Sequence, residues 1–105
     1  MKTTKVSVFA LVKAKPGMEE TVKQELRALV GPTLKEEGCI NYDLHQALDD
    51  KTLFRFYENW TSKELLDKHL NSPHVNRLKA KIDQILAEPP EITLWEKVDM
   101  GLLPP

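Results

Sequence analysis

Apolar residues recur along this chain with two different periods, and the changes between them mark out its elements. From Val6 to Val12 every position except Ser7 is apolar, a run that suits a strand covered on both faces better than one with a wet side. The Pro-Gly turn in "KPGME" ends it. Beyond the turn, Met18, Val22, Leu26, Leu29, Val30 and Leu34 follow one another every three or four residues, predicting an amphipathic helix with these side chains on its buried stripe. Glu19 and Glu20 fall in its first turn, where unpaired backbone N–H groups favour negative charge. Gly31-Pro32 is expected to kink or interrupt the helix, and Gly38 is placed to cap it in the left-handed conformation.

The period then returns to two. "CINYDLHQAL" and "TLFRFYENW", separated by "DDK", predict a β-hairpin with a short polar loop. "TSKE", Thr61 to Glu64, has the spacing of a capping box and opens a short helix carrying Leu65, Leu66, His69 and Leu70. Ser72-Pro73 starts another, with Ser72 as N-cap, Pro73 at the first helical position and Val75, Leu78, Ile82, Ile85 and Leu86 on the buried side. "EPP" stops it, and "EITLWEKV" predicts a last strand before the tail "DMGLLPP". For that tail, docking on a partner subunit and a disordered end are equally open.

The order is thus β-α-β-β-α-β with the second helix broken in two, the α+β, ferredoxin-like arrangement of a four-stranded antiparallel sheet with helices on one face. One such domain accounts for residues 1–105, a length that supports a single hydrophobic core. The strands carry a further implication. In the second hairpin strand Leu53 and Tyr57 point one way while Phe54, Phe56 and Trp60 point the other, yet helices cover only one face of the sheet. The remaining apolar face is expected to be covered by a second copy of the chain, making a homodimer.

Composition narrows the range of functions. Fifteen Lys and Arg are scattered among sixteen Asp and Glu for a net charge of -1, so neither a nucleic-acid footprint nor attraction to an anionic membrane surface is expected. No apolar run approaches the length of a membrane helix. "VSVFALV" has the look of a signal-peptide core, but Lys13 and Lys15 follow it without a small-residue cleavage pattern, and a strand is the better reading. Cys39 is the only cysteine, which excludes intrachain disulfides and thiolate zinc clusters and is compatible with the cytoplasm.

The densest chemistry lies in "ENWTSKELLDKHLNSPH", Glu58 to His74. His69 and His74 are five apart, about 140° around a continuous helix, so they do not share one helical face. A helical zinc motif needs a spacing of four and its own glutamate, and no metal is expected. Cys39 follows a glycine at a strand start, without the helix N-terminus that activates a thiol. The four glycines stand too far apart for a phosphate loop. Alternation along the strand puts Glu58 and Trp60 on one face and Asn59 on the other; which of these and Tyr42 share a cavity with His69 is not fixed by spacing. A glutamate on so apolar a strand must find a partner or take a raised pKa.

Taken together, "KPGMEE", "PTLKEEGCINYDLH", "YENW" and "KHLNSPH", in this order from about Val6 to Val98, resemble the antibiotic biosynthesis monooxygenase family, especially its quinol monooxygenase-like members. The resemblance implies a dimeric α+β barrel in which two ferredoxin-like sheets pack together. It also implies oxidation of a phenolic or quinol-type aromatic by molecular oxygen with no metal, flavin or other prosthetic group. Under it, His69 is the candidate base or hydrogen-bond partner and His74 its second, Tyr42 and Trp60 are stacking walls, and Glu58 and Asn59 orient substrate or histidine. The haem-degrading relatives carry an asparagine on the first strand, whereas this chain has none before Asn41. An isomerase of a phosphorylated autoinducer shares the pattern of His69, Pro73 and His74, and for it Arg55, Lys68 and Arg77 would supply the cations. A non-catalytic ligand-binding dimer is the third reading that the scaffold allows.

Overall fold

The computed structural model describes residues 4–99 and 101; Met100 and the end of the tail, residues 102–105, lie outside them. Eight elements follow in the order β1 (Val6–Lys13), α1 (Glu19–Leu34), β2 (Cys39–Gln46), β3 (Leu53–Trp60), α2 (Lys63–Leu70), α3 (Pro73–Lys79), α4 (Ile82–Ile85) and β4 (Glu91–Trp95). The strands form one antiparallel sheet in the order β2-β3-β1-β4, the α+β ferredoxin-like topology.

Register decides which side chains meet. Val8 of β1 and Tyr42 of β2 flank Glu58 of β3, and Ala10 and Leu44 flank Phe56, so these six project toward the helices. There Val8, Ala10, Val12, Tyr42, Phe54, Phe56 and Trp60 pack against Val22, Leu26 and Leu29 of α1 and Leu66 of α2 as one core. The opposite face carries Ser7, Phe9 and Leu11 beside Asn59, Tyr57 and Arg55. Phe9 stacks on Tyr57 with centroids 5.2 Å apart and meets the edge of Trp95 at 6.3 Å. Among the described residues no helix covers this side.

Several local details differ from the sequence-based expectations. Helix α1 runs through Gly31-Pro32 to Leu34, although Pro32 has no N–H to offer the carbonyl one turn back. The buried stripe consequently continues to Thr33, and Leu34, one residue further round, is 52% exposed. The N-cap of α2 is Ser62, whose hydroxyl accepts from the Leu65 amide at 3.2 Å. Thr61 lies outside the helix, and with Leu65 three residues after Ser62 the expected capping box does not form; only the hydroxyl-to-amide bond is made. Beyond α3 the chain makes one separate short turn of helix, α4, instead of continuing. Strand β4 stops at Trp95.

Gly38 has φ +89° as expected, but the end of α1 is satisfied earlier, by the Lys35 and Glu36 amides bonding to the Pro32 and Thr33 carbonyls. Its role is spacing. A Cβ at this position would stand 2.5 Å from Leu65 Cδ1 and 2.7 Å from Leu65 Cβ, so only glycine lets the start of β2 pass α2 this closely. That approach holds Glu36, just upstream, over the end of α2.

Candidate active site

His69 sits in the last turn of α2, 2% exposed. One face of its ring lies on Trp60, with centroids 4.7 Å apart, and the Tyr42 ring meets it edge-on at 5.3 Å. Its Nδ1 lies 2.6 Å from Oε2 of Glu36. The break at Ser72-Pro73 turns the chain so that His74, in the first turn of α3, brings its Nε2 to within 3.0 Å of the same oxygen. The Ser72 hydroxyl does not cap α3; it donates to the His69 carbonyl at 2.6 Å and closes the corner between the two helices. Two histidines with no common helical face therefore converge on one carboxylate.

The three groups place Glu36 Oε2, His69 Nδ1 and His74 Nε2 within 4.8 Å of one another, a ligand set of the kind that holds a divalent transition metal. Their separations of 2.6 and 3.0 Å are those of hydrogen bonds. Ligands gathered on one tetrahedral ion with bonds of about 2 Å stand about 3.3 Å apart. The Glu36 carboxylate is thus placed as acceptor and the two imidazoles as donors. Burial pushes the His69 pKa below the ordinary imidazole value; the Glu36 bond pulls it back up, and the nearby His74 and Lys79 push it down again. Neutral at pH 7 with its proton on Nδ1, the ring carries its lone pair on Nε2. Among the described residues Nε2 has no hydrogen-bond partner.

His69 also lines a partly open cavity of about 200 Å³ between the sheet and the helices. Its walls are mostly apolar: Ala10, Val12, Leu26, Leu29 and Phe56, with Tyr42 stacked on Phe56 at 4.4 Å. Exposed Lys79 and Ile92 stand at its rim. Two buried polar groups of the sheet reach it, Tyr42 and Glu58. Burial, with Glu58 next in effect, pushes the Tyr42 phenol above its ordinary range. Roomier grooves of about 710 and 520 Å³ run beside β2 and over the open face of the sheet, and neither includes His69 or Glu58.

Of the six residues singled out in the sequence, His69, Tyr42 and Glu58 line the cavity. Trp60 does not: it lies behind His69, fully buried, and its indole N–H donates to Glu58 Oε1 at 2.9 Å. His74 supports the cluster from the side of Glu36. Asn59 is on the open face, where it accepts from Ser7 and donates to Asn41, so it is not brought together with the others. Arg55, Lys68 and Arg77 are exposed and none lines the cavity, which does not assemble the cationic cradle considered for a phosphorylated substrate. Cys39 is half-buried with its thiol pushed up to about 11, mainly by burial, and is a poor nucleophile.

Glu36 is the residue that sequence reasoning missed. In "KEE" it is indistinguishable by spacing from Glu37, and its partners lie 33 and 38 residues away. The one available signal was the requirement that a buried histidine find a partner for its N–H.

Comparison with known proteins agrees with this architecture. The family model described as antibiotic biosynthesis monooxygenase matches residues 5–81. Rv0793 of Mycobacterium tuberculosis, provisionally named a monooxygenase, is 32% identical over 97 residues, covering 92% of this chain and 95% of that one. In structural superposition it aligns at 28% identity with TM-score 0.85, over 94% and 100% of the two chains. PA3566 of Pseudomonas aeruginosa aligns with TM-score 0.88 at 33% identity, over 94% of this chain and 99% of that one.

Proposed function

The chain belongs to the antibiotic biosynthesis monooxygenase family, and from that premise we propose that it oxidises a small quinol-like or phenolic aromatic with molecular oxygen, using His69 as the base. The observation that carries the reading is His69 itself: one ring nitrogen is held by Glu36, the other has no hydrogen-bond partner among the described residues, and the residue lines a mostly apolar cavity. A neutral, oriented imidazole takes a phenolic proton and leaves an electron-rich anion. The Glu36 carboxylate then stabilises the imidazolium that forms. Apolar walls exclude water from the reactive intermediate and admit oxygen.

The electron balance requires no further reductant. A quinol and O₂ give a hydroxylated quinone and water; one oxygen atom enters the product, the other leaves as water, and the arene supplies all four electrons. We therefore propose that the reaction proceeds without a prosthetic group. A cavity of about 200 Å³ takes one small planar molecule, below the roughly 300–1,000 Å³ usual for larger ligands. The reading includes a homodimer whose second copy covers Phe9, Tyr57 and Trp95, and a cytoplasmic setting for its single thiol.

Oxygen uptake by metal-stripped protein tests this, with a panel of quinols and polyphenols and a protein-free control for autoxidation. Uptake above the control is expected, and His69→Ala should lower it about 10²- to 10⁴-fold, the usual worth of a positioned base. Uptake no faster than autoxidation across the panel would overturn the assignment.

A further inference from the structure

We propose that Glu58 is the cavity's second substrate-reading group, its carboxyl exchanging a hydrogen bond with a second oxygen on the ligand, so that the site selects dihydroxyarenes over monophenols. The inference rests on the aromatic-substrate reading and adds to it the number of oxygen functions that the substrate must carry.

The placement of Glu58 is unusual for a carboxyl group. It lies in the middle of β3, 4% exposed, between Val8 and Tyr42 on the neighbouring strands. Among the described residues its carboxyl has one hydrogen bond, from Trp60 to Oε1, which leaves Oε2 without a partner, and Glu58 lines the cavity that holds His69. A carboxylate so placed would be desolvated and unpaired. The single cation of the lining, Lys79, is at the rim and donates to the Leu70 carbonyl at 2.7 Å. The other titratable groups facing this space are Tyr42 from β2 and His69 from α2, with Glu36 behind His69; β1 and β4 contribute only apolar side chains to the lining. Burial raises the Glu58 pKa to about 7; the Trp60 bond pulls it down and Glu36 pushes it up.

Glu58 offers its carboxyl from the sheet, a donor when protonated and an acceptor when ionised, while His69 offers a lone pair from α2. An arene with one oxygen satisfies only one of them and leaves the other buried and unpaired. That imbalance is worth about tenfold to a hundredfold in affinity. An arene with two oxygen functions satisfies both.

Anaerobic titration calorimetry tests the proposal without turnover, using 1,4-naphthohydroquinone and 1-naphthol between pH 5.5 and 8.5. The native protein is expected to favour the dihydroxy ligand at least tenfold across this range, because the second hydroxyl accepts from the protonated acid and donates to the carboxylate. Glu58→Gln keeps an acceptor for Trp60 and a donor toward the cavity, so it should hold the preference at every pH. Glu58→Met, with folding checked by circular dichroism, should abolish it. Equal native affinities, or a preference that Glu58→Met leaves unchanged, would overturn the role of Glu58 and leave the aromatic reading standing. If neither ligand bound, both would fall.

Discussion

The protonation of His69 is decided by opposing influences of its neighbours. Burial lowers its pKa and the Glu36 carboxylate raises it, with burial the larger. If His69 is the base, kcat/KM rises with pH through a limb below the ordinary imidazole pKa of about 6.5. Glu36→Ala removes the influence that raises the pKa, so the limb should move to still lower pH. The plateau should fall about tenfold or more as the ring loses its orientation. A purely structural role for Glu36 would lower the plateau but leave the limb in place, and the pH profile of oxygen uptake separates the two. At this scale the residue types were legible in the sequence, since a glutamate on an apolar strand and a histidine beside Leu70 both call for partners. The partners themselves were not, because Glu36 reaches His69 and His74 only after the chain has folded back on itself.

Among the elements, the contact between the start of β2 and α2 positions the site. Gly38 permits it, and Gly38→Ala would place a methyl group 2.5 Å from Leu65 Cδ1 at a φ of +89°. Left-handed backbone and overpacking together should cost about 2–4 kcal/mol. Chemical denaturation should show this as a lower midpoint, and the displacement of Glu36 should weaken activity in the fraction that remains folded. Helices and strands followed well from hydrophobic period, because burial of one face is a property of spacing. Ends followed less well. Thr61 and Ser62 are both good caps, and only the path of the chain out of β3 selects Ser62. Similarly, Pro32 stands inside α1 two residues before its end, where proline's local preference argued for a break.

For the whole molecule, the open face of the sheet has the largest consequence. Phe9, Tyr57 and Trp95 cluster there with no helix above them, and the hydrophobic effect favours covering them with a second copy. Sedimentation equilibrium at micromolar concentration is expected to give twice the chain mass of 12.0 kDa. Tyr57→Glu, a change at a 37% exposed position, should shift the equilibrium toward the single chain. A native protein that sediments as a monomer would remove the reason offered for strands with two apolar faces.

Local spacing and side-chain type suffice for the order of elements, the sheet with helices on one side, the two-faced strands and the identity of the residues able to do chemistry. Packing alone shows that Glu36 joins His69 and His74, that Trp60 stands behind the histidine instead of walling the cavity, that Asn59 faces away, and that Glu58, bonded to Trp60 through one oxygen, lines the cavity. These relations join residues far apart along the chain, and their distances are set by how strands register and helices pack, which no local pattern encodes.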